Sequence, residues 1–110
     1  MAFLHVIERL EGVIEARRRE RPEGSYVTRL LDGGEPAIAA KIREEAGELI
    51  DAGSDSGATA HEAADLLFHT LVLLRTRGVC FADVCSVLEN RFGIGGLAEK
   101  AARSAGANGE

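Results

Sequence analysis

Residues 62–74 read Glu-Ala-Ala-Asp-Leu-Leu-Phe-His-Thr-Leu-Val-Leu-Leu. At about 100° per residue, Ala63, Ala64, Leu66, Leu67, Phe68, Leu71, Val72, Leu73 and Leu74 cover almost the whole circumference of a helix. A helix that is apolar all round is a buried helix. Its polar gap is one stripe about 60° wide, holding Glu62, Asp65, His69 and Thr76. Acids on a buried helix are costly unless bases pair with them or a metal ion binds them. The apolar run is too short to span a bilayer and contains Asp65 and His69, so it reads as a core helix and not as a membrane segment.

Outward from this helix the chain supplies neighbours to cover it. Phe3, Ile7, Leu10 and Ile14 repeat at helical spacing and predict a first helix over 2–19, with Arg17 to Arg19 at the end that suits cations. Arg21-Pro22-Glu23-Gly24 breaks it, and Ser25 is placed to cap a short turn over 26–31 that Asp32-Gly33-Gly34 closes. Pro36 suits the first position of a second long helix running to Ala52 and stopped by Gly53. Thr59 and Glu62 have the T-x-x-E spacing of a capping box, so the third long helix is expected from there to Arg77, before Gly78. A fourth is expected over 81–91. Gly93, Gly95 and Gly96 then break the chain, a further turn is expected over 97–103, and residues 104–110 read as a flexible tail. No strand pattern is present. Short connections between long helices imply antiparallel neighbours, hence an all-α antiparallel bundle of four main helices plus short helical turns, with a single domain over 1–103.

The 110 residues suffice for one such domain. The net charge of −5 argues against a nucleic-acid partner, and 5% aromatics with no Trp leave no base-stacking platform. Cys80 and Cys85 have neither disulfide-framework nor zinc-site spacing and read as reduced thiols. The first residues carry acids and no cleavable apolar run, so a cytoplasmic protein without a membrane partner is expected.

The acidic residues are placed more pointedly than the total charge suggests. With Glu44 at zero on the second long helix, Glu48 lies near 40°, Lys41 near 60° and Glu45 near 100°. The apolar arc formed by Ile38, Ala39, Ile42, Ala46, Leu49 and Ile50 begins at about 120°. The glutamates thus border the core face. Each has a plain reading: a solvated face with Lys41 in i,i+3 and i,i+4 pairs, a cap at Glu62, and a hydrogen bond between Asp65 and His69. Taken together, E-E-x-x-E on one helix and E-x-x-D on the next place carboxylate pairs on two helices expected to be neighbours. Facing one another, they supply the all-oxygen site that Mg²⁺ takes. With no thiolate and only His69 as a nearby imidazole, zinc fits poorly. Because Mg²⁺ keeps positions open to substrate oxygens, a phosphate ester or anhydride is the expected substrate class.

Lys41 to Glu48 (K-I-R-E-E-A-G-E) and Glu62 to His69 (E-A-A-D-L-L-F-H) resemble the two-part signature of the all-α nucleotide pyrophosphohydrolases. Val13 to Arg17, Pro22 to Val27, Leu31 to Gly34, Ala64 to Leu74, Asp83-Val84 and Leu88 to Arg91 narrow the resemblance to the phosphoribosyl-ATP pyrophosphohydrolase family, in one colinear order over about residues 4 to 100. Two positions depart from it: Val27 stands where Thr is common and Phe68 where Tyr is common, and neither is an acidic motif position. The resemblance implies hydrolysis of phosphoribosyl-ATP to phosphoribosyl-AMP and pyrophosphate, the second step of histidine biosynthesis. It implies Mg²⁺ on Glu45, Glu48, Glu62 and Asp65, with Glu44 beside them to orient water or help hold a second ion. Lys41, Arg17, Ser25 and Tyr26 become candidates for substrate phosphate. Two other readings stay open at this stage: a housecleaning pyrophosphohydrolase for a non-canonical nucleotide, and a non-enzymatic helical dimerisation module.

A helix apolar on all sides needs cover on all sides, and Leu66 and Leu73, beside the acidic stripe, are expected to lack it in one chain. A homodimer is therefore expected. The resemblance implies the same, as a dimer or a pair of dimers.

Overall fold

The computed structural model describes residues 2–92, with side chains from residue 5 onward. The side chain of Phe3, the glycine break after residue 92, the turn expected over 97–103 and the tail lie outside the described residues. Five helices follow one another: α1 (Ala2–Glu20), α2 (Tyr26–Asp32), α3 (Gly34–Asp51), α4 (Ser56–Thr76) and α5 (Phe81–Phe92). There is no strand among the described residues. Helices α1 to α4 form one compact unit, and α5 belongs to a second. The first unit thus holds three long helices and the short α2.

Helices α3 and α4 make the most extensive pairing, α2 packs on α1 and α3, and α1 packs on α4. Two cross-helix contacts set the direction of the α3–α4 hairpin. At one end Arg77, just past α4, forms a two-pronged ion pair with Glu35 in the first turn of α3, both N···O distances being 2.9 Å. At the other end Glu48, late in α3, lies beside Glu62, early in α4. The two helices therefore run antiparallel.

The core is drawn from all four helices: Ile14 on α1, Val27 and Leu30 on α2, Ile38 on α3, Leu71 and Val72 on α4. The predicted face of α1 is confirmed, with Ile14 buried and Ile7 and Leu10 half-buried. The face of α3 is rotated from the one its hydrophobicity suggests. Ile50, at the far edge of the predicted apolar arc, is 78% exposed, whereas Glu45 is only 6% exposed. The buried stripe of α3, set by where α2 and α4 pack on it, runs through Ile38 and Glu45, at the edge of the apolar arc nearest the glutamates, while Glu44 and Glu48 stay exposed. Leu66 and Leu73, expected to lack cover, are half-buried. The exposed large apolar side chains of this unit include Val6 and Val13 on α1 as well as Ile50.

Helix ends follow local chemistry, with two corrections. Ser25 caps α2, its Oγ accepting from the Thr28 N–H at 3.2 Å. Pro36 is the third residue of α3 and not the first, since the chain enters that helix at Gly34. Gly33 ends α2 and precedes α3 so closely that a Cβ there would stand 2.7 Å from that of Ala37. Helix α4 begins at Ser56, three residues before the expected capping box. Its cap is Asp55, whose Oδ1 accepts from the Ala58 N–H at 2.9 Å. Asp at this position satisfies an amide and also complements the helix dipole, so it captures the start ahead of Thr59. Thr59 lies inside the first turn, donating its hydroxyl to the Asp55 carbonyl, and Glu62 has no capping duty. At the other end Gly78, with φ +73, turns the chain so that its N–H reaches the Arg75 carbonyl and that of Val79 reaches Leu74.

Two substitutions separate core from cap. Ile38→Ala should cost about 2–5 kcal/mol of unfolding free energy, the range for a fully buried aliphatic truncation. Asp55→Ala should cost about 1 kcal/mol. Urea denaturation of both variants checks the ordering; an Asp55→Ala protein as stable as wild type would contradict the assigned cap.

Candidate active site

The α3–α4 pairing brings the two acidic motifs together. Glu44, Glu45 and Glu48 each place a carboxylate oxygen within 4.8 Å of the others, and on α4 a ring nitrogen of His61 and carboxylate oxygens of Glu62 and Asp65 lie equally close together. Glu48 joins the two groups, standing within hydrogen-bonding reach of both Glu45 and Glu62. Its carboxyl is pushed up to about 7, first because the neighbouring helices strip part of its hydration, and then by the charges of Glu45 and Glu62. The residue is exposed overall, so this is a crowded surface carboxyl and not a buried one.

Two oxygens stand out. Glu45 Oε1 and Glu62 Oε1 are buried and have no hydrogen-bond partner. A buried acceptor without a donor is costly, and a cation would supply what both oxygens lack. Lys41 neutralises only the other side of the cluster, with Nζ 3.2 Å from Glu44 Oε1 and 3.7 Å from Glu45 Oε2. The hydrogen bond to Glu44, then the neighbouring Tyr26 and the other charges, hold the Lys41 ammonium above its usual range. The donor set of carboxylates fits a hard divalent cation such as Mg²⁺.

The imidazole nearest the acids is not the expected one. His69 is turned away, its Nε2 2.7 Å from the Tyr26 hydroxyl and its Nδ1 2.8 Å from the Asp65 backbone carbonyl. It makes no bond to the Asp65 carboxylate. His61 does, at 3.3 Å between Nε2 and Oδ2. The signal was present, since His61 and Asp65 are four apart and share a helix face, but His61 lies ahead of the apolar run that drew attention to the stripe.

The other candidates are placed as follows. Tyr26 is half-exposed beside Lys41, with the Arg29 guanidinium 5.5 Å from its ring centroid and Phe68 stacked at 6.2 Å. Ser25 spends its hydroxyl on the cap of α2. Arg17 lies in the last turn of α1 and is half-buried, with no contact joining it to the carboxylates. An open basin of about 550 Å³ lies at the far end of α4, lined by Glu15, Arg18, Arg75, Thr76 and Gly78, and shares no residue with the acidic cluster.

Residues 7–92 match the family model described as phosphoribosyl-ATP pyrophosphohydrolase. The chain belongs to that family. It is 52% identical to the phosphoribosyl-ATP pyrophosphatase of Rhizorhabdus wittichii, over 91% of this chain and 96% of that protein. It is 46% identical to the protein of the same name from Rhodopirellula baltica, over 90% of this chain and 87% of the relative. For that of Erythrobacter litoralis the identity is 47%, covering 91% and 98%. The family match spans α2, α3, α4 and α5 and most of α1, and so includes both acidic motifs.

The crowding at Glu48 has a measurable consequence in metal-free protein. Between about pH 4.5 and 7 the folded state binds more protons at Glu48 than the unfolded state does. That contribution to stability is present below 4.5 and is lost as pH rises through about 7. Glu48→Gln should therefore gain stability over wild type as pH is raised across this window, measured by thermal melts in chelator. A wild-type-minus-mutant difference that does not change with pH would contradict the crowding.

Proposed function

We propose that this chain hydrolyses phosphoribosyl-ATP to phosphoribosyl-AMP and pyrophosphate, the second step of histidine biosynthesis, using Mg²⁺ bound by Glu45, Glu48, Glu62 and Asp65. The observation that carries the reading is the pair of buried, unpartnered oxygens on Glu45 and Glu62, on two helices whose acidic motifs meet through Glu48. A helical dimerisation module has no use for such an arrangement. The names of the relatives support the substrate.

The reaction adds water across one phosphoric anhydride, forming one P–O bond and breaking another, with pyrophosphate as the leaving group. When bound, the metal supplies charge neutralisation to the polyphosphate and polarises the attacked phosphoryl group. The chain's own residues do the rest. Glu44 stands next to the ligand set and accepts from Lys41, which leaves a carboxylate oxygen to orient the attacking water. Lys41 meets a phosphate oxygen as a point charge. Arg17 and the turn around Ser25 and Tyr26 are the remaining substrate contacts of the proposal. The protein is proposed to act in the cytoplasm as a homodimer; the apolar side chains exposed on α1 and α3 favour association, and no described helix is long and apolar enough to cross a membrane.

Purified protein with Mg²⁺ and phosphoribosyl-ATP should release pyrophosphate, and a panel of non-canonical nucleotides should not compete. Asp65→Asn should lower kcat/KM about a hundredfold or more with the fold intact by circular dichroism. Glu62→Gln should lose Mg²⁺ affinity by calorimetry without a cap defect, because Asp55 holds the cap. Wild-type Mg²⁺ binding in Glu62→Gln would remove that residue from the site.

A further inference from the structure

His69 is buried to 5% exposure, and the mechanism above does not use it. Its two ring nitrogens are both engaged. The Asp65 carbonyl can only accept, so the 2.8 Å contact requires the proton on Nδ1. In the neutral imidazole Nε2 is then a bare acceptor, and the partner 2.7 Å away is the Tyr26 hydroxyl. The ring is clamped edge-on against Phe68 at 5.1 Å and against Tyr26 at 5.7 Å between centroids, so it cannot swing to another partner without unpacking both.

This fixes the polarity of a hydroxyl carried by a partly exposed residue. A free tyrosine hydroxyl rotates and serves as donor or acceptor. Here its hydrogen points inward to His69, and only oxygen lone pairs remain for solvent or ligand. The phenol is 39% exposed as a residue, lies beside Lys41, and Lys41 in turn contacts Glu44 and Glu45 of the acidic cluster. A phosphate oxygen needs a donor, and this oxygen has none to give. We propose that His69 is a positioning residue that locks Tyr26 as a hydrogen-bond acceptor at the edge of the active site, where it receives an O–H or N–H of the sugar or base of the nucleotide and leaves phosphate to Lys41. The inference rests on the functional reading above and corrects the expectation that Tyr26 binds phosphate.

The chain makes the test direct, because Tyr26 is its single tyrosine and it has no tryptophan. Four observations are expected. Histidine ¹⁵N spectra of the metal-free full-length protein show His69 protonated on Nδ1 and bare on Nε2, with the Nε2 signal shifting in Tyr26→Phe. Tyrosine fluorescence changes in His69→Leu and returns toward wild type in His69→Gln, whose amide oxygen replaces the acceptor. Tyr26→Phe and His69→Leu each raise KM for phosphoribosyl-ATP about three- to tenfold with kcat within about twofold, the size of one lost hydrogen bond. The double variant is no worse than either single one, and His69→Gln recovers most of KM.

Tyr26→Phe keeps the ring at an exposed position, so it decides the matter even where His69→Leu folds poorly. A normal KM in Tyr26→Phe, or a His69 protonated on Nε2, overturns the inference while wild-type activity leaves the functional reading standing. Absence of pyrophosphate release by the wild type overturns both.

Discussion

Glu48 stands between Glu45 on its own helix and Glu62 on the next, and this crowding of like charge is the constraint around which the first unit is arranged. The Glu48 carboxyl is raised first by lost hydration and then by the neighbouring charges of Glu45 and Glu62. Two buried oxygens remain without donors in the same place. Hydrophobic burial and ordinary ion pairing would not produce such a cluster, since either a lysine opposite or a move to solvent would relieve it. Lys41 relieves one flank and stops there. The unrelieved side is where the proposed divalent cation would bind.

Holding that cluster together takes packing elsewhere. The α3–α4 hairpin is tied at the end remote from the acids by the Glu35–Arg77 pair, and its middle is filled by Ile38, Leu71 and Val72. Burial of these side chains supplies the favourable free energy against which the carboxylate repulsion is set. The short helix α2 wedges in with Val27 and Leu30 buried and packs the partly exposed Tyr26 against Phe68 and His69 of α4. One small helix thus contributes to the core and presents a ring beside Lys41.

The histidine pair on α4 illustrates how a single helix divides its labour. His61, exposed, meets the Asp65 carboxylate. His69, two turns later and buried, binds the Asp65 backbone and the Tyr26 hydroxyl. One imidazole therefore belongs to the charged surface of the site and the other to its internal bracing.

Much of this was legible in the residues alone. Helical period and glycine punctuation determined the five helices to within a few residues, because these depend on local backbone chemistry. The E-E-x-x-E and E-x-x-D spacings determined that each helix carries its acids on one face, because 3.6 residues per turn leaves no alternative. Tertiary structure decided the rest. The start of α4 is the exception, a local competition between two adequate caps that Asp55 wins, leaving Glu62 without a capping duty. That Glu45 is interior and Ile50 is not depends on where neighbouring helices press on α3, which a hydrophobicity pattern on one helix does not contain. Which histidine faces the acids depends on Tyr26 arriving from 43 residues away to claim His69. Local periodicity assigns a side chain to a face, but only the packed neighbours assign that face to water, to core or to a partner.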